Sequence, residues 1–451
     1  MKKFTAILVC KVLRFIGKAL KRGTSLPGKI ALKIDPNILK KIEMPRRILI
    51  VTGSNGKTST VEMIAHILEK NSKKFAFNKG GSNQIQGVTT FILDDCNLFG
   101  RAKSDIFLFE ADEHFAKRML NFFKPTHLLI TNLYRDQQVR NGNPEWVYKG
   151  IEQSVNNTDI TMVLNANDPL VSCFGFNKEN TVWFGFDNMI GTTREITSVY
   201  NDGKFCPKCK NFLEYEYYHY NHIGKFCCEN CGFKTAKTQY TGNYTEEEKE
   251  GFLINNEYKI KISFENISIG FYYNLLAAFA GSNLLGIKAE DICKSLESFV
   301  SKIFRVVKFD LDKYNGVLLI SKHENSVSYD QSIRVIVEYN EPCTAVIIVD
   351  NISRKYSTNN ISWFYDIDFE MFKSEKVKKI ILSGFYCNDL AVCLSLTEIP
   401  IEKISVFEKI PDCIKYLRDN TEGKIFVITC FSDKDKFLEE VAVCDVNEID
   451  S

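Results

Sequence analysis

Residues 51–60 read Val51-Thr-Gly-Ser-Asn-Gly-Lys-Thr-Ser-Thr60, after the apolar run of residues 47–51 and before the helical pattern of residues 61–70. A strand, a glycine turn and a helix in this order form a phosphate-binding loop, because backbone N–H groups and the helix start point at the anion. We predict that Lys57 reaches the terminal phosphates and that the Thr58 hydroxyl holds Mg²⁺. The predicted loop contacts are Gly53, Ser54, Asn55, Gly56, Lys57, Thr58 and Ser59.

The glycine spacing is shorter than in the usual P-loop pattern, where four residues separate the first glycine from Gly-Lys-Ser/Thr. Here two residues, Ser54 and Asn55, lie between Gly53 and Gly56. An ordinary glycine turn of a βα unit is therefore the competing interpretation.

Length and composition limit the class of protein. The chain has 451 residues and is 45% hydrophobic, which is enough for two or three domains with their own cores. Its net charge of +2 carries no nucleic-acid signal. Fifteen cysteines in a long chain with this type of loop favour a reducing compartment over a disulfide framework.

The first residues imitate a secretion signal, with an apolar stretch between basic ends. Lys11, Arg14 and Lys18 interrupt that stretch, and no small-x-small cleavage site follows it. We therefore predict a cytoplasmic protein, at the inner face of the cell membrane if this segment binds lipid. The helical spacing of the apolar residues suits either a helix packed on a neighbour or one resting on an acidic membrane surface.

Acidic residues follow the apolar run 105–110, which is predicted to be a buried parallel strand. Ligands collect at the carboxyl ends of such strands, so Glu110 is predicted to be an oxygen ligand of phosphate-bound Mg²⁺. Asp112 and Glu113 are predicted to be solvated acids at a helix start.

The glycine-rich loop 78–83 suits either a close approach to a bound ligand or an ordinary turn. Polar residues follow the next two predicted strands. We expect them to line the same edge of the sheet, since carboxyl ends of parallel strands meet there. They are Thr131 and Asn132, and Asn165, Asn167 and Asp168.

Four cysteines form two Cys-x-x-Cys pairs, Cys206 with Cys209 and Cys228 with Cys231, separated by eighteen residues. This pattern predicts a zinc ribbon, because each pair presents two thiolates on a tight turn and Zn²⁺ binds four tetrahedrally. Four thiolates leave no open coordination position, so the zinc is predicted to be structural. Two disulfides are the alternative, and Cys227 is predicted to be a bystander.

Short apolar strands alternate with helical segments after residue 310. They span residues 316–321, 344–349, 379–383 and 424–429. This alternation predicts a second, smaller Rossmann-like α/β domain.

Several of these segments together resemble the Mur ligase family. The motifs are TGSNGKTST, FNKGGSN, LFEADE, ITNLYRDQ and VLNANDP. SLPGKIALKIDP at residues 25–36 and ISWFYDIDFE at 361–370 are similar, more narrowly, to the MurT family of synthetase subunits. The resemblance implies an N-terminal basic amphipathic arm (1–45), a Mur-type P-loop ATPase domain (46–300) with the ribbon inserted at 203–234, and a C-terminal domain (301–451).

The resemblance also implies roles for residues outside the loop. Asn274 matches an asparagine that contacts adenine, and Arg305 an arginine that reaches the phosphates. Asn360 stands where the family has an aspartate that completes the triad of a partner glutaminase, and Asp366 matches a second family acid. The chain departs from the family pattern at Val139, Phe271, Phe304, Val307 and Asn360.

The implied reaction is ATP-dependent amidation of the α-carboxyl of D-glutamate in the lipid II stem peptide. It would use Mg²⁺, an acyl phosphate and ammonia from a GatD-like glutaminase that forms a heterodimer with this chain. A Mur-type ligase that joins an amino acid is one alternative, which the ribbon and the segment 361–370 oppose. A nucleotide-binding paralogue with weak or altered activity is the other, favoured by these departures from the family pattern.

Overall fold

The structure, a computed structural model, describes residues 1–19, 25–78, 84–136, 142–156, 158–176, 178–245, 247, 250–262, 268–300, 306–352 and 360–443. Its first part contains α1 (Lys2–Ala19), α2 (Leu26–Ile34), β1 (Arg47–Thr52), α3 (Lys57–Lys70), β2 (Phe75–Phe77), α4 (Ile85–Asp95), β3 (Ile106–Glu110), α5 (Glu113–Phe122), β4 (His127–Ile130), α6 (Pro144–Val155), β5 (Thr161–Asn165), α7 (Pro169–Gly175), β6 (Thr181–Met189), β7 (Glu214–Tyr220), β8 (Ile223–Cys227), β9 (Tyr240–Tyr244), β10 (Gly251–Ile254), β11 (Tyr258–Lys261), α8 (Ile269–Leu284) and α9 (Ala289–Val300).

The second part contains β12 (Val306–Leu311), β13 (Tyr314–Ser321), α10 (Ser326–Val337), β14 (Cys343–Ile348), β15 (Val377–Ser383), α11 (Cys387–Ser395), β16 (Ile404–Phe407), α12 (Ile410–Asn420), β17 (Lys424–Cys430), α13 (Lys434–Leu438) and β18 (Ala442–Val443). Short 3₁₀ helices span Ile38–Lys41, Ser362–Asp366, Phe369–Lys373 and Ile401–Lys403.

A nine-stranded sheet organises the first part, in the order β11-β10-β9-β6-β5-β4-β1-β3-β2. Seven neighbouring strands of this sheet pair in parallel: β9, β6, β5, β4, β1, β3 and β2. β10 and β11 extend it beyond β9 in antiparallel pairing. Alternate β1 side chains enter two different cores: Leu49 and Val51 one, Ile48 and Ile50 the other. Strands buried on both faces belong to a sheet covered by helices on both sides.

A seven-stranded sheet organises the second part, in the order β16-β15-β14-β17-β13-β12-β18. Its first five strands pair in parallel, and β12 and β18 join antiparallel. The four strands predicted after residue 310 are confirmed as β13, β14, β15 and β17. Strands β12, β16 and β18 were not predicted, and they lie at or near the edges of the sheet.

The N-terminal arm packs on the first sheet's helical layer. α1 contacts α2 and α4, and Ala6, Ile7 and Cys10 of α1 are buried there. Lys11 donates to the Asp94 carbonyl at 2.8 Å, which ties α1 to α4. The predicted packing role is thus met by one face of the helix. In the described part of the chain, each helix is too short or too polar to cross a bilayer.

Candidate active site

The loop after β1 has the backbone that a phosphate site requires. Gly53 has φ 134° and Gly56 has φ 82°, both in the region that side chains rarely adopt. A Cβ at Gly53 would overlap the Thr131 hydroxyl, and one at Gly56 would overlap the Asn274 amide. Both glycines are therefore required by conformation and by the close approach of a neighbour.

The ends of neighbouring strands brace this loop. The Asn55 N–H donates to Asn132 Oδ1 at 2.8 Å, and the Thr131 hydroxyl donates to the Asn55 carbonyl at 2.7 Å. The Ser54 hydroxyl donates to the Tyr134 carbonyl at 2.9 Å. The predicted rim residues Thr131 and Asn132 thus lie beside the loop and hold its shape.

Lys57, in the first turn of α3, is held by a buried acid. Its Nζ lies 3.0 Å from Glu113 Oε1, and it also donates to the Gly53 carbonyl. The Glu113 side chain is 2% exposed and Asp112 is buried as well. The prediction that Asp112 and Glu113 are solvated is wrong, because α5 begins beneath the loop and turns Glu113 inward onto Lys57.

Thr58 and Glu110 lie together, as predicted for a magnesium site. The Thr58 hydroxyl donates to Glu110 Oε1 at 2.9 Å, and the Thr58 side chain faces solvent. Glu110 is the last residue of β3 and is in register with Val51 of β1. A hydroxyl and a carboxylate oxygen beside the phosphate loop fit Mg²⁺, which prefers oxygen ligands and keeps several waters.

Asn274 lies in α8, an apolar helix of the core, and its amide approaches Gly56. The remaining predicted loop residue, Ser59, lies in the first turn of α3. Phe271, where the family has another asparagine, is partly buried and packs against the core around α8.

Asn165, Asn167 and Asp168 lie at the predicted edge of the sheet but are fully engaged inside the protein. All three are buried. The Asn167 Oδ1 accepts from the Phe186 N–H at 2.8 Å, and the Asp168 carboxylate accepts from the Leu133 N–H at 2.7 Å. The prediction that these three side chains face a ligand is therefore wrong. They are buried, and their hydrogen bonds join the ends of neighbouring strands.

The second part of the chain reaches into the phosphate loop. Lys322 Nζ donates to the Ser54 carbonyl at 2.9 Å and pairs with the Asp136 carboxylate. Asn325, the N-cap of α10, donates to Asp136 Oδ1 and accepts from Asn55 Nδ2, both at 2.8 Å. Burial raises the pKa of Asp136 and lowers the pKa of Lys322. We call Asp136, Lys322 and Asn325 the interdomain triad.

The interdomain triad was not assigned a role from the sequence. Asp136 stands in the quoted ITNLYRDQ segment, and Lys322 and Asn325 follow the first predicted strand of the second sheet. Both segments follow parallel strands at their carboxyl ends, and this position could have indicated that they lie near a site. The pairing between them spans 186 residues of sequence and could not be read from local pattern.

We expect Lys322→Met to destabilise the protein by about 3 kcal/mol or less, because it leaves the Asp136 carboxylate buried without its cation. The Asp136 side chain is 2% exposed and that of Lys322 is 27% exposed, so solvent moderates the loss. Urea unfolding followed by fluorescence measures the change. The matched control is Lys322→Met/Asp136→Asn, which should recover most of the loss. Equal loss in both variants would show that the pair itself contributes nothing.

Arg135 joins three separate segments near the same loop. Its guanidinium lies 2.9 Å from Asp202 Oδ1 and 3.2 Å from Asp366 Oδ1, and its Cζ lies 3.9 Å from the centre of the Tyr200 ring. Asp366, a predicted catalytic residue, is therefore used in an ion pair in this structure. Burial raises the pKa of Asp366, which Arg135 partly offsets.

Asn360 is exposed at the start of the segment that resembles the MurT family. Its Oδ1 accepts from the Ser362 N–H at 2.9 Å, at the entry to the 3₁₀ helix Ser362–Asp366. Among the predicted residues, Arg305, Phe304, Val139 and positions 79–83 of the glycine-rich loop lie outside the described residues. Val307 is described, and it is buried in β12.

The four predicted zinc ligands come together. Their Sγ atoms all lie within 4.8 Å of one another, with Cys206 and Cys231 at 3.6 Å and Cys209 and Cys228 at 3.4 Å. A disulfide has an S–S length of about 2.05 Å, so these thiols are free and the disulfide alternative is wrong. Cys227 is exposed and lies outside the cluster, as predicted.

The two Cys-x-x-Cys turns have the same backbone. In each, the first cysteine's N–H donates at 2.7 Å to the carbonyl five residues on, and its carbonyl accepts at 2.9 Å from the N–H four residues on. The residue after the second cysteine has positive φ in both turns: 65° at Lys210 and 71° at Gly232. Two copies of one turn face each other and bring four sulfur atoms to one point.

Comparison with known proteins agrees with this geometry. Residues 51–236 match the Mur ligase middle domain, and residues 323–433 match the MurT ligase C-terminal domain. The lipid II isoglutaminyl synthase (glutamine-hydrolyzing) subunit MurT of Staphylococcus aureus (strain COL) is 31% identical over 406 residues, 89% of each chain. The chain belongs to the MurT family. The MurT subunit of Streptococcus pneumoniae (strain ATCC BAA-255 / R6) is 28% identical over 451 residues, 98% of this chain and 97% of its own.

Solved structures show the same fold at lower identity. A pseudomurein peptide ligase type C from Methanothermus fervidus has a TM-score of 0.67 and 22% identity, covering 89% of this chain and 80% of its own. MurF ligase from Thermotoga maritima in complex with ADP has a TM-score of 0.57 and 15% identity, covering 92% and 83%. These structures show the Mur ligase α/β fold. The relatives and family models above identify the chain as an ATP-dependent ligase.

Proposed function

We propose that this chain is a synthetase subunit that amidates the α-carboxyl of D-glutamate in the lipid II stem peptide, in the cytoplasm, with ammonia from a GatD-like partner. The observation that carries the proposal is the grouping of Lys57, Thr58 and Glu110 at one loop, opposite a C-terminal segment of the MurT type. The grouping supports phosphoryl transfer, and the segment supports a glutaminase partner.

In the proposed reaction, a carboxylate oxygen of the substrate attacks the γ-phosphorus of ATP, and the bond to ADP breaks. Ammonia then attacks the carbonyl carbon of the acyl phosphate, the bond to phosphate breaks, and a proton leaves the nitrogen. Lys57 would stabilise charge on the moving phosphoryl group, with Arg305 as a second proposed cation. Mg²⁺, held by Thr58 and Glu110, would neutralise the phosphates when bound.

A separate subunit is proposed to release the ammonia, since this requires an activated cysteine. Cys430 has Ser432 and Asp433 nearby, and Ser432 contacts His323 at 3.1 Å. Cys430 is nevertheless buried, donates to the Asp433 carboxylate, and has a pKa raised to about 12 by that burial. It is therefore a protonated core thiol rather than a nucleophile.

The activity is tested with purified chain, partner glutaminase, ATP, Mg²⁺ and lipid II. Mass spectrometry of the product should show one carboxyl replaced by a carboxamide, with phosphate released in equal amount. Ammonium chloride should replace glutamine and the partner. A product heavier by an amino-acid residue would overturn amidation in favour of the other ligase class, and phosphate release without product would favour the paralogue.

We also propose that Cys206, Cys209, Cys228 and Cys231 hold a structural Zn²⁺. Tetrahedral Zn–S bonds of about 2.3 Å place sulfur atoms about 3.8 Å apart, close to the observed separations. With all four positions filled by thiolate, the metal would stabilise the inserted module. Tyr215 and Tyr218 stack in that module at 4.2 Å, which supports a packing role for its aromatic residues.

Protein purified without chelator is expected to contain about one zinc per chain, measured by plasma mass spectrometry. Cys209→Ser should lose the metal and destabilise the module while nucleotide affinity changes less, because the phosphate loop has its own supports. Cys227→Ser is the matched control, since this neighbour lies outside the cluster, and it should keep the zinc. Equal metal content in both variants would defeat the assignment.

A further inference from the structure

The helix α1 carries a second apolar face that no described residue covers. Its inner face is buried against α2 and α4. The outer face exposes a run of large apolar side chains: Phe4 is 47% exposed, Leu8 41%, Val12 50%, Phe15 77% and Ile16 47%. Scattered exposed apolar residues are ordinary, whereas a contiguous row of them marks an interaction surface.

The spacing of this row is helical. With 3.6 residues per turn, Phe4, Leu8, Val12 and Phe15 project within about 80° of one another. Phe99 adds to the surface near the start of α1: it is 83% exposed and precedes Gly100, against which the Lys3 side chain lies. We call Phe4, Leu8, Val12, Phe15, Ile16 and Phe99 the outer apolar face.

The segment that carries most of this face is basic. Residues 1–34 contain nine lysines and arginines and no aspartate or glutamate, although the whole chain is nearly balanced at 58 basic and 56 acidic residues. Lys2 of α1 and Lys29 and Lys33 of α2 are exposed. Lys11 and Arg14 face inward instead, towards Asp94. Residues 1–34 therefore combine an apolar face with an excess of basic residues.

We propose that the outer apolar face docks on an anionic lipid bilayer, with α1 lying in the plane of the interface. The basic residues of α1 disfavour a span across the bilayer, and its exposed apolar face suits the interfacial arrangement. Apolar side chains would enter the acyl boundary while lysines contact lipid phosphates. A protein partner would need a matching surface rich in acids, whereas an anionic bilayer supplies negative charge at every position of the arm.

This inference does not rest on the proposed amidation, because it concerns a surface distinct from the phosphate loop. It would, however, hold the chain where a lipid-linked substrate is found. Lipid binding is measurable without any turnover, so failure of either proposal can be recognised separately.

The test is co-sedimentation of the full-length chain with phosphatidylcholine vesicles, with and without about one third phosphatidylglycerol. Binding is expected to anionic vesicles, to weaken in high salt, and to fall at least about tenfold in Phe15→Asp. Phe385→Asp is the matched control: Phe385 is 72% exposed in the second part of the chain and should leave binding unchanged. Equal binding by both variants would overturn the proposal.

A second measurement locates the contact and detects other occupants. Phe15→Trp should be quenched by brominated lipids, and Phe385→Trp should not. Gel filtration without lipid should give the same oligomeric state for wild type and Phe15→Asp. A lipid-independent dimer that Phe15→Asp dissociates would assign the face to a second copy of the chain and overturn lipid docking.

Discussion

Replacing Lys57 by alanine is expected to lower ATP-dependent turnover by at least about a hundredfold, because a cation that meets the transferring phosphoryl group is lost. The loop geometry supports this, because Lys57 Nζ donates to the carbonyls of Gly53 and Ser54 inside the glycine turn that we propose to hold the phosphates. Release of phosphate and formation of carboxamide both measure the effect. Substrate binding should change less than turnover.

The control for this variant comes from Glu113. Lys57→Ala leaves the Glu113 carboxylate buried without its lysine, so part of any loss of activity could come from instability. Lys57→Ala/Glu113→Gln removes that charge and should fold as well as wild type while staying inactive. Recovery of wild-type turnover in the double variant, or retention of it in Lys57→Ala, would remove Lys57 from the phosphoryl-transfer site.

Asn360→Asp is expected to raise the glutamine-dependent rate at least about tenfold and to leave the ammonia-dependent rate nearly unchanged. An asparagine orients a partner histidine but carries no charge to stabilise an imidazolium, and in a Ser-His-Asp triad the change from aspartate to asparagine lowers kcat by about 10⁴. Asn360 is exposed, so a partner can reach it. An aspartate can still accept the Ser362 N–H, so the fold should tolerate the change.

Two acids are alternative sources of the carboxylate that Asn360 lacks, and the same assay separates these possibilities. Asp366 pairs with Arg135, and Asp350 pairs with Lys436. If either has taken over the role, Asn360→Asp changes little, and Asp366→Asn or Asp350→Asn abolishes glutamine use while ammonia use persists. If none of the three substitutions changes the glutamine-dependent rate, the proposal that this segment completes a partner's active site is wrong.

Local sequence pattern predicted much of this structure because the relevant interactions are local or repeat along the chain. The loop at 51–60 was predictable since a strand, two glycines and a helix start must follow one another directly. The cysteine cluster was predictable because two identical turns place their own sulfur atoms. The apolar runs that became β13, β14, β15 and β17 are continuous because those strands are buried on both faces.

The errors arose where tertiary packing decides a polar residue's surroundings. Glu113 looks like an ordinary helix-start acid, and its burial follows from the position of α5 beneath the phosphate loop. Asn167 looks like a rim residue, yet the β7–β8 hairpin covers it and bonds to it, the Gly224 N–H donating to its carbonyl at 2.9 Å. Lys322 and Asp136 meet across 186 residues, a contact that no local periodicity encodes.

The interdomain triad has a thermodynamic consequence for the assembled enzyme. Lys322 and Asn325 belong to the second sheet's side of the molecule, yet they bond to Ser54 and Asn55 of the phosphate loop. A nucleotide that changes the conformation of this loop must therefore change the free energy of these contacts between the two parts. If a partner docks on the second part and alters nucleotide affinity by some factor, nucleotide alters partner affinity by that same factor. Titrating the partner with and without ADP measures one side of this reciprocity, and titrating ADP with and without the partner measures the other.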